Sequence, residues 1–103
     1  IQILNEALDI SDSDPLVYKY LGRISEYNRN FNDSVKYYEK VTKLNSGDKD
    51  VWLRLGMCYL YTDLLDKAIA AFELANKLLP MNTDVYTGWG MVFMRQKKYL
   101  LNY

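Results

Sequence analysis

Histidine is absent from this chain of 103 residues, and cysteine occurs once, as Cys58. Without histidine the chain has neither the commonest general base nor the usual ligands of most zinc sites. A single cysteine excludes an internal disulfide and is typical of a reducing compartment, so we expect a cytoplasmic protein. These absences favour a protein that is not an enzyme, although Asp, Glu, Lys and Tyr could still support catalysis.

Net charge and long apolar runs are missing as well. The 13 basic and 13 acidic side chains cancel. Proteins that bind nucleic acids or anionic membranes normally carry a basic excess, so we expect no nucleic-acid partner. The longest apolar runs, such as GWGMVFM, are far shorter than the roughly 20 residues that cross a bilayer, so we expect no membrane insertion.

The chain does contain an internal repeat. The segments VYKYLGRISEY, VWLRLGMCYLY and VYTGWGMVFMR begin at Val17, Val51 and Val85, which are evenly spaced along the chain. The same interval separates three glycines and three aromatic residues, namely Gly22, Gly56 and Gly90, and Tyr18, Trp52 and Tyr86. The second half of the unit repeats too, because Leu4, Tyr38 and Phe72 also share one position. A 34-residue period indicates a helical repeat.

The second unit resembles the tetratricopeptide repeat. It carries the residue types of that family at the family's offsets, namely Trp52, Leu55, Gly56, Tyr59, Ala68, Phe72, Ala75 and Pro80. The first unit departs from the pattern at Ser25, Ser34 and Ser46. The resemblance implies an all-α, right-handed α-solenoid of antiparallel helix pairs with no β-sheet. It also implies that Gly22, Gly56 and Gly90 mark a close approach of two helices.

Apolar spacing and turn residues predict where the helices lie. We expect helices near 1–10, 15–28, 32–45, 49–62, 66–79 and 83–97, and the start of a seventh in the last residues. Asp14 before Pro15 is typical of a helix N-cap, as are the aspartates of SGDKD. We expect a single domain over 1–103, a fragment of a longer array, with a trailing half-unit, two full units and a leading half-unit at 1–14, 15–48, 49–82 and 83–103.

Two sets of side chains could have carried metal chemistry. Met57 and Cys58 are soft ligands suited to copper(I), but adjacent helical residues point about 100° apart and no second cysteine or histidine is present. The aspartates of SDSDP and SGDKD lack the length and the final glutamate of a calcium loop, which leaves helix capping as their role. We therefore expect no catalytic, metal-binding or cofactor-binding residues and no cofactor.

In tetratricopeptide arrays the first helix of each unit lines a concave groove that receives a peptide or a partner helix. The resemblance places these residues in the groove: Lys19, Tyr20, Arg23, Tyr27, Leu53, Arg54, Met57, Leu60, Tyr61, Thr87, Met91, Met94 and Arg95. The set is apolar and rich in methionine, with arginine at intervals, which suits an amphipathic segment. The alternative is that some of these residues contact neighbouring repeats of a longer superhelix.

One subclass of the family binds acidic chaperone tails through a clamp of lysines, asparagines and an arginine. The matching positions here are Leu16, Tyr20, Arg54, Asp84 and Gly88, and none carries the expected side chain. We expect no binding of such tails.

Three functions remain open from the sequence. The first is a protein–protein interaction scaffold whose groove holds a protein or peptide partner. The second is a regulatory or substrate-recruiting segment of a larger enzyme, a transferase or a peptidase. The third is self-association through the apolar face of the last half-unit, formed by Tyr86, Trp89 and Phe93, because repeat arrays normally end in a polar cap and none is visible.

Overall fold

Five helices make up the part of the chain that the structure describes. The computed structural model describes residues 14–101, and within that range it contains no β-strand. The helices are α1 (Pro15–Tyr27), α2 (Phe31–Leu44), α3 (Lys49–Tyr61), α4 (Leu65–Leu78) and α5 (Thr83–Leu101). The all-α fold is confirmed, and the bounds of α1 to α4 match the predicted ones to within one residue. The predicted helix near 1–10 lies outside the described residues.

The helices α1 and α3 share one kind of start. The Asp14 carboxylate accepts a hydrogen bond from the Leu16 amide at 2.9 Å, with Pro15 in the first turn. The Asp48 carboxylate accepts one from the Val51 amide at 3.2 Å. These side chains satisfy amide groups that have no partner inside the helix, so the predicted capping roles of Asp14 and Asp48 are confirmed.

Short connections make consecutive helices antiparallel. Three residues join α1 to α2 and α3 to α4, and in each connection one residue has a positive φ, 61° at Arg29 and 67° at Asp63. Each helix packs on the next along the chain, and α3 also contacts α5. As a result α1, α3 and α5 run in the same direction, which places repeated positions of these helices side by side.

Aromatic rings fill the places where helices approach most closely. Tyr38 of α2 and Phe72 of α4 are fully buried. A Cβ atom built on Gly22 would lie 2.5 Å from the Tyr38 ring, and one built on Gly56 would lie 2.6 Å from the Phe72 ring. The expected close approach is therefore confirmed at Gly22 and Gly56, since no side chain fits there.

The same expectation is wrong for the third glycine. A Cβ atom on Gly90 would meet nothing within 4 Å, because no helix of the described chain packs on that side of α5. Gly88, two residues earlier, faces the other way and is buried against the Phe72 ring. That ring therefore lies between Gly56 of α3 and Gly88 of α5.

The last helix is longer than predicted. We expected it to end near residue 97 and a new helix to begin, but α5 runs unbroken to Leu101. Its extra length lies along the connection between α3 and α4. The Arg95 guanidinium donates to the Leu60 carbonyl oxygen at 3.1 Å, and the Tyr99 hydroxyl donates to the Asp63 carboxylate. These contacts favour a continuous helix over a turn at Lys97.

Candidate functional site

A cavity of about 530 Å³ lies on the side of the molecule formed by α1, α3 and α5. It is lined by Lys19, Arg23, Tyr38, Asp50, Val51, Leu53, Arg54, Met57, Asp84 and Thr87. Tyr38 and Val51 are fully buried, while Leu53 and Met57 are half-buried and pack against the core. The cavity therefore has an apolar floor and a charged rim.

Six of the predicted groove residues meet in this cavity: Lys19, Arg23, Leu53, Arg54, Met57 and Thr87. They come from three different helices. They meet because α1, α3 and α5 run in the same direction, so positions separated by one repeat period lie side by side, as Leu53 and Thr87 do. Six of the thirteen variable positions named from the sequence thus line one cavity.

The other predicted groove residues lie elsewhere. Leu60 is fully buried, so its placement on the groove surface is wrong: its side of α3 faces the core. The Tyr61 ring packs on Phe31 of α2, with ring centroids 4.6 Å apart. Arg95 is engaged at the α3–α4 connection, and Met91 packs against the core. The remaining three are exposed outside the cavity, namely Tyr20, Tyr27 and Met94.

Four lining residues were not predicted from the sequence: Tyr38, Asp50, Val51 and Asp84. Tyr38 and Val51 are at positions that recur in each repeat, and recurring apolar positions predict packing in the core rather than a binding surface. Asp50 and Asp84 are also separated by one repeat period, each in the first turn of its helix. That shared position is the signal in the sequence that could have found them, although it equally fits a role at the start of a helix.

Two of the three cations of the cavity are neutralised within the protein. The Lys19 ammonium lies 3.0 Å from the Asp48 carboxylate, and the Arg54 guanidinium lies 3.2 Å from the Glu26 carboxylate. The other oxygen of Glu26 accepts a hydrogen bond from the Tyr38 hydroxyl at 2.8 Å. Burial, and then this bond to Glu26, raises the pKa of Tyr38 above its usual range, so the hydroxyl stays protonated and remains a donor.

Three charges of the lining have no such partner. Within residues 14–101, Arg23, Asp50 and Asp84 form no ion pair. Asp50 and Asp84 occupy the same level of neighbouring parallel helices. Arg23 lies at the level of Met57, seven residues further along the repeat, or about 10 Å along the helix axis. The rim is thus acidic at one end and basic at the other.

Cys58 lies outside the cavity, in the core. Its sulfur accepts a hydrogen bond from the Ser34 hydroxyl at 3.1 Å, and burial raises the pKa of the thiol to about 11. A thiol in this state is a poor nucleophile at neutral pH. Among residues 14–101 no three His, Cys, Asp or Glu side chains lie close enough together to hold a metal ion. No helix in that range is long and apolar enough to cross a membrane.

The family model for the tetratricopeptide repeat matches residues 18–48 and 49–80. The chain belongs to the tetratricopeptide repeat family. Proteins built from this repeat generally mediate protein–protein interactions and are typically scaffolds without catalytic activity.

Curated relatives share the repeat over most of this chain. Anaphase-promoting complex subunit 3 of Schizosaccharomyces pombe is 27% identical over 99 residues, which cover 96% of this chain and 15% of that protein. General transcriptional corepressor trfA of Dictyostelium discoideum is 30% identical, over 84% of this chain and 6% of that protein. BBSome complex member BBS4 of Mus musculus is 28% identical, over 91% of this chain and 18% of that protein. The chain spans less than a fifth of the length of each.

Solved structures show the same fold. A structure of MamA superposes with a TM-score of 0.87 at 22% identity and covers 93% of this chain and 52% of MamA. YrrB, described as a TPR protein with an unusual peptide-binding site, superposes with a TM-score of 0.75 at 18% identity and covers 95% of this chain and 50% of YrrB. At these identities the likeness concerns the fold alone.

Proposed function

We propose that this chain is a scaffold module that binds a peptide or a helix of a partner protein in the cavity between α1, α3 and α5. The observation that carries the proposal is the cavity of about 530 Å³ in which six predicted groove residues meet. Two of the curated relatives are named as members of multiprotein complexes, which agrees with a scaffold role.

The lining suits a peptide better than a reacting substrate. Leu53 and Met57 offer an apolar floor, and the flexible methionine can adapt to different side chains. The charges around this floor give orientation and specificity more than affinity. An apolar floor with a few charged side chains around it is typical of a surface that binds another molecule.

An acidic chaperone tail is a poor ligand for this cavity. A carboxylate clamp needs cations that are free to bind the ligand. Lys19 and Arg54 are already paired with Asp48 and Glu26, and the lining contributes two further carboxylates. An acidic tail would have to break internal ion pairs, so we expect no saturable binding of such a tail.

The proposal is tested by selecting binders from a random peptide library displayed on phage. The chosen variant is Thr87→Arg, because Thr87 is exposed on the cavity wall and a long charged side chain there would occupy the groove. We expect the selected peptides to bind the unmodified chain and to lose about tenfold or more in affinity for Thr87→Arg, measured by fluorescence anisotropy.

The matched control is Ala70→Arg, since Ala70 is an exposed residue of α4 that does not line the cavity. It should bind the selected peptides as well as the unmodified chain does. If no peptide is enriched, or if both arginine variants bind equally well, the cavity is not the binding site. Circular dichroism of each variant checks that helicity is retained.

A further inference from the structure

The unpaired charges of the cavity indicate what kind of segment fits it. Of the charged side chains in the lining, Lys19 and Arg54 are satisfied within the protein, so they offer little to a ligand. The unpaired Arg23 lies at the other end of the cavity, about 10 Å along the helix axis from the level of Asp50 and Asp84. Asp50 and Asp84 are exposed carboxylates without an ion-pair partner in residues 14–101. The side of the cavity built from the first turns of α3 and α5 is therefore negative.

The apolar floor lies directly beside these carboxylates. Leu53 follows Asp50 by three residues on α3, and Thr87 follows Asp84 by three residues on α5. Residues three apart on a helix are neighbours on one face. A segment whose basic side chain reaches the two carboxylates can place a second side chain of the same face over Leu53 and Met57. That second residue is two positions away in an extended segment and three or four positions away in a helix.

From this charge complementarity we propose that the cavity selects a partner segment that carries a lysine or an arginine two to four residues away from a large apolar residue, so that both side chains face the cavity. The basic side chain binds between Asp50 and Asp84, and the apolar side chain packs on Leu53 and Met57. This inference rests on the proposed function and specifies the partner of the same site. The ligand is the charge-opposite of the acidic tails that the clamp subclass binds.

A purely structural role for the two aspartates is the competing explanation. Carboxylates in the first turn stabilise a helix through its macrodipole, and α2 and α4 also carry an aspartate in the first turn, Asp33 and Asp66. Asp66 is exposed and does not line the cavity. It therefore shares the helix-start position of Asp50 and Asp84 but not their surroundings, which makes Asp66→Asn a matched control.

The peptides selected from the phage library are sequenced. Their affinity is then measured for the unmodified chain and for the double variant Asp50→Asn/Asp84→Asn. We expect enrichment of Lys or Arg two to four residues away from Leu, Met, Phe or Trp. Affinity should fall about tenfold or more in the double variant, and Asp66→Asn should leave it unchanged. Raising the ionic strength should weaken binding to the unmodified chain and have little effect on the double variant.

A change in the peptide completes the test. Replacing its basic residue by glutamine should weaken binding to the unmodified chain and leave the weaker binding to the double variant unchanged, because the two losses concern one interaction. The inference is overturned if the selected peptides contain no enriched basic residue, or if the double variant binds them as tightly as Asp66→Asn does. In that event sensitivity to Thr87→Arg would still support the groove, whereas insensitivity to Thr87→Arg would remove the proposed function as well.

Discussion

Phe72 packs against two different helices, α3 and α5. It is fully buried, and two glycines from different helices, Gly56 and Gly88, lie against it. In the first unit Tyr38 lies against Gly22 in the same manner. A glycine in a helix interior costs about 1 kcal/mol relative to alanine. Here the tight packing of each ring against a glycine offsets that cost.

Alanine substitutions at Gly56 and Gly90 should therefore have opposite effects. Gly56→Ala places a methyl group against the Phe72 ring and should lower the free energy of unfolding by about 1–3 kcal/mol. Gly90→Ala meets no neighbour and should raise it by up to about 1 kcal/mol through helix propensity. Urea unfolding measures the free energy of unfolding of both variants and of the unmodified chain. Equal shifts of the same sign would contradict the close-packing account.

The buried Cys58 thiol should make the free energy of unfolding fall as the pH rises in the alkaline range. Its pKa is about 11 in the folded chain, against an ordinary value of 9.0. The folded state therefore holds the proton more tightly, so this stabilisation is complete below pH 9.0 and is lost as the pH rises through 11. Burial raises the pKa of Tyr38 and Tyr59 too, which acts in the same direction.

The thiol contribution is isolated by comparison with Cys58→Ala. Between about pH 8 and about pH 11, the unmodified chain should lose about 2 kcal/mol more unfolding free energy than the variant does. Denaturant melts at a series of pH values measure the difference. Parallel pH profiles for the two proteins would show that the thiol does not carry this dependence.

At the scale of elements, α5 differs from the other helices. It continues past the position at which α1 and α3 end in a turn. Arg95 lies just before this added length and contacts the Leu60 carbonyl oxygen and the Asp63 carboxylate, and Tyr99 lies within it and donates to Asp63. The contacts link one unit to the next without using the groove.

Arg95→Ala should consequently destabilise the chain. It removes a hydrogen bond to a main-chain carbonyl near the end of α3, which is worth about 0.5–1.5 kcal/mol. Hydrogen exchange should show faster opening of the last turns of α5. Lys98→Ala is the control, because Lys98 is exposed on the same helix and forms no ion pair within residues 14–101. Equal effects of the two variants would contradict a role for the Leu60 contact.

At the scale of the whole molecule, the outer face of α5 is a large apolar surface left exposed among the described helices. Tyr86 and Phe93 are 45% and 56% exposed, and the Tyr86 ring packs on Trp89, with ring centroids 5.7 Å apart. In the described chain no following helix covers this face.

This face should promote self-association. We expect the apparent mass in light scattering to rise with protein concentration, and Phe93→Lys to suppress the rise because it places a charge in the apolar face. Leu74→Lys on α4 is the control, since Leu74 is 37% exposed on a different helix. A chain that stays monomeric at every concentration would contradict the prediction.

The features that the sequence predicted correctly depend on local patterns of residue types along the chain. The repeat period and the apolar spacing within each unit are properties of the chain itself, so the family, the bounds of α1 to α4 and the capping by Asp14 and Asp48 followed from them. The same periodicity explains why Leu53 and Thr87, which are one repeat period apart, line one cavity together with Arg54.

Packing between helices settled the rest. A rotation of about 100° separates adjacent residues of a helix, so the side of α3 that faces the core decides that Leu60 is buried. Gly90 makes no tight contact because no described helix packs on its side of α5, whereas Gly88 faces the Phe72 ring of α4. The charge of the cavity depends on partners far away in the chain, since Asp48 neutralises Lys19 and Glu26 neutralises Arg54. No sequence pattern shows which charges are paired in this way, because the pairing arises only when the helices stack.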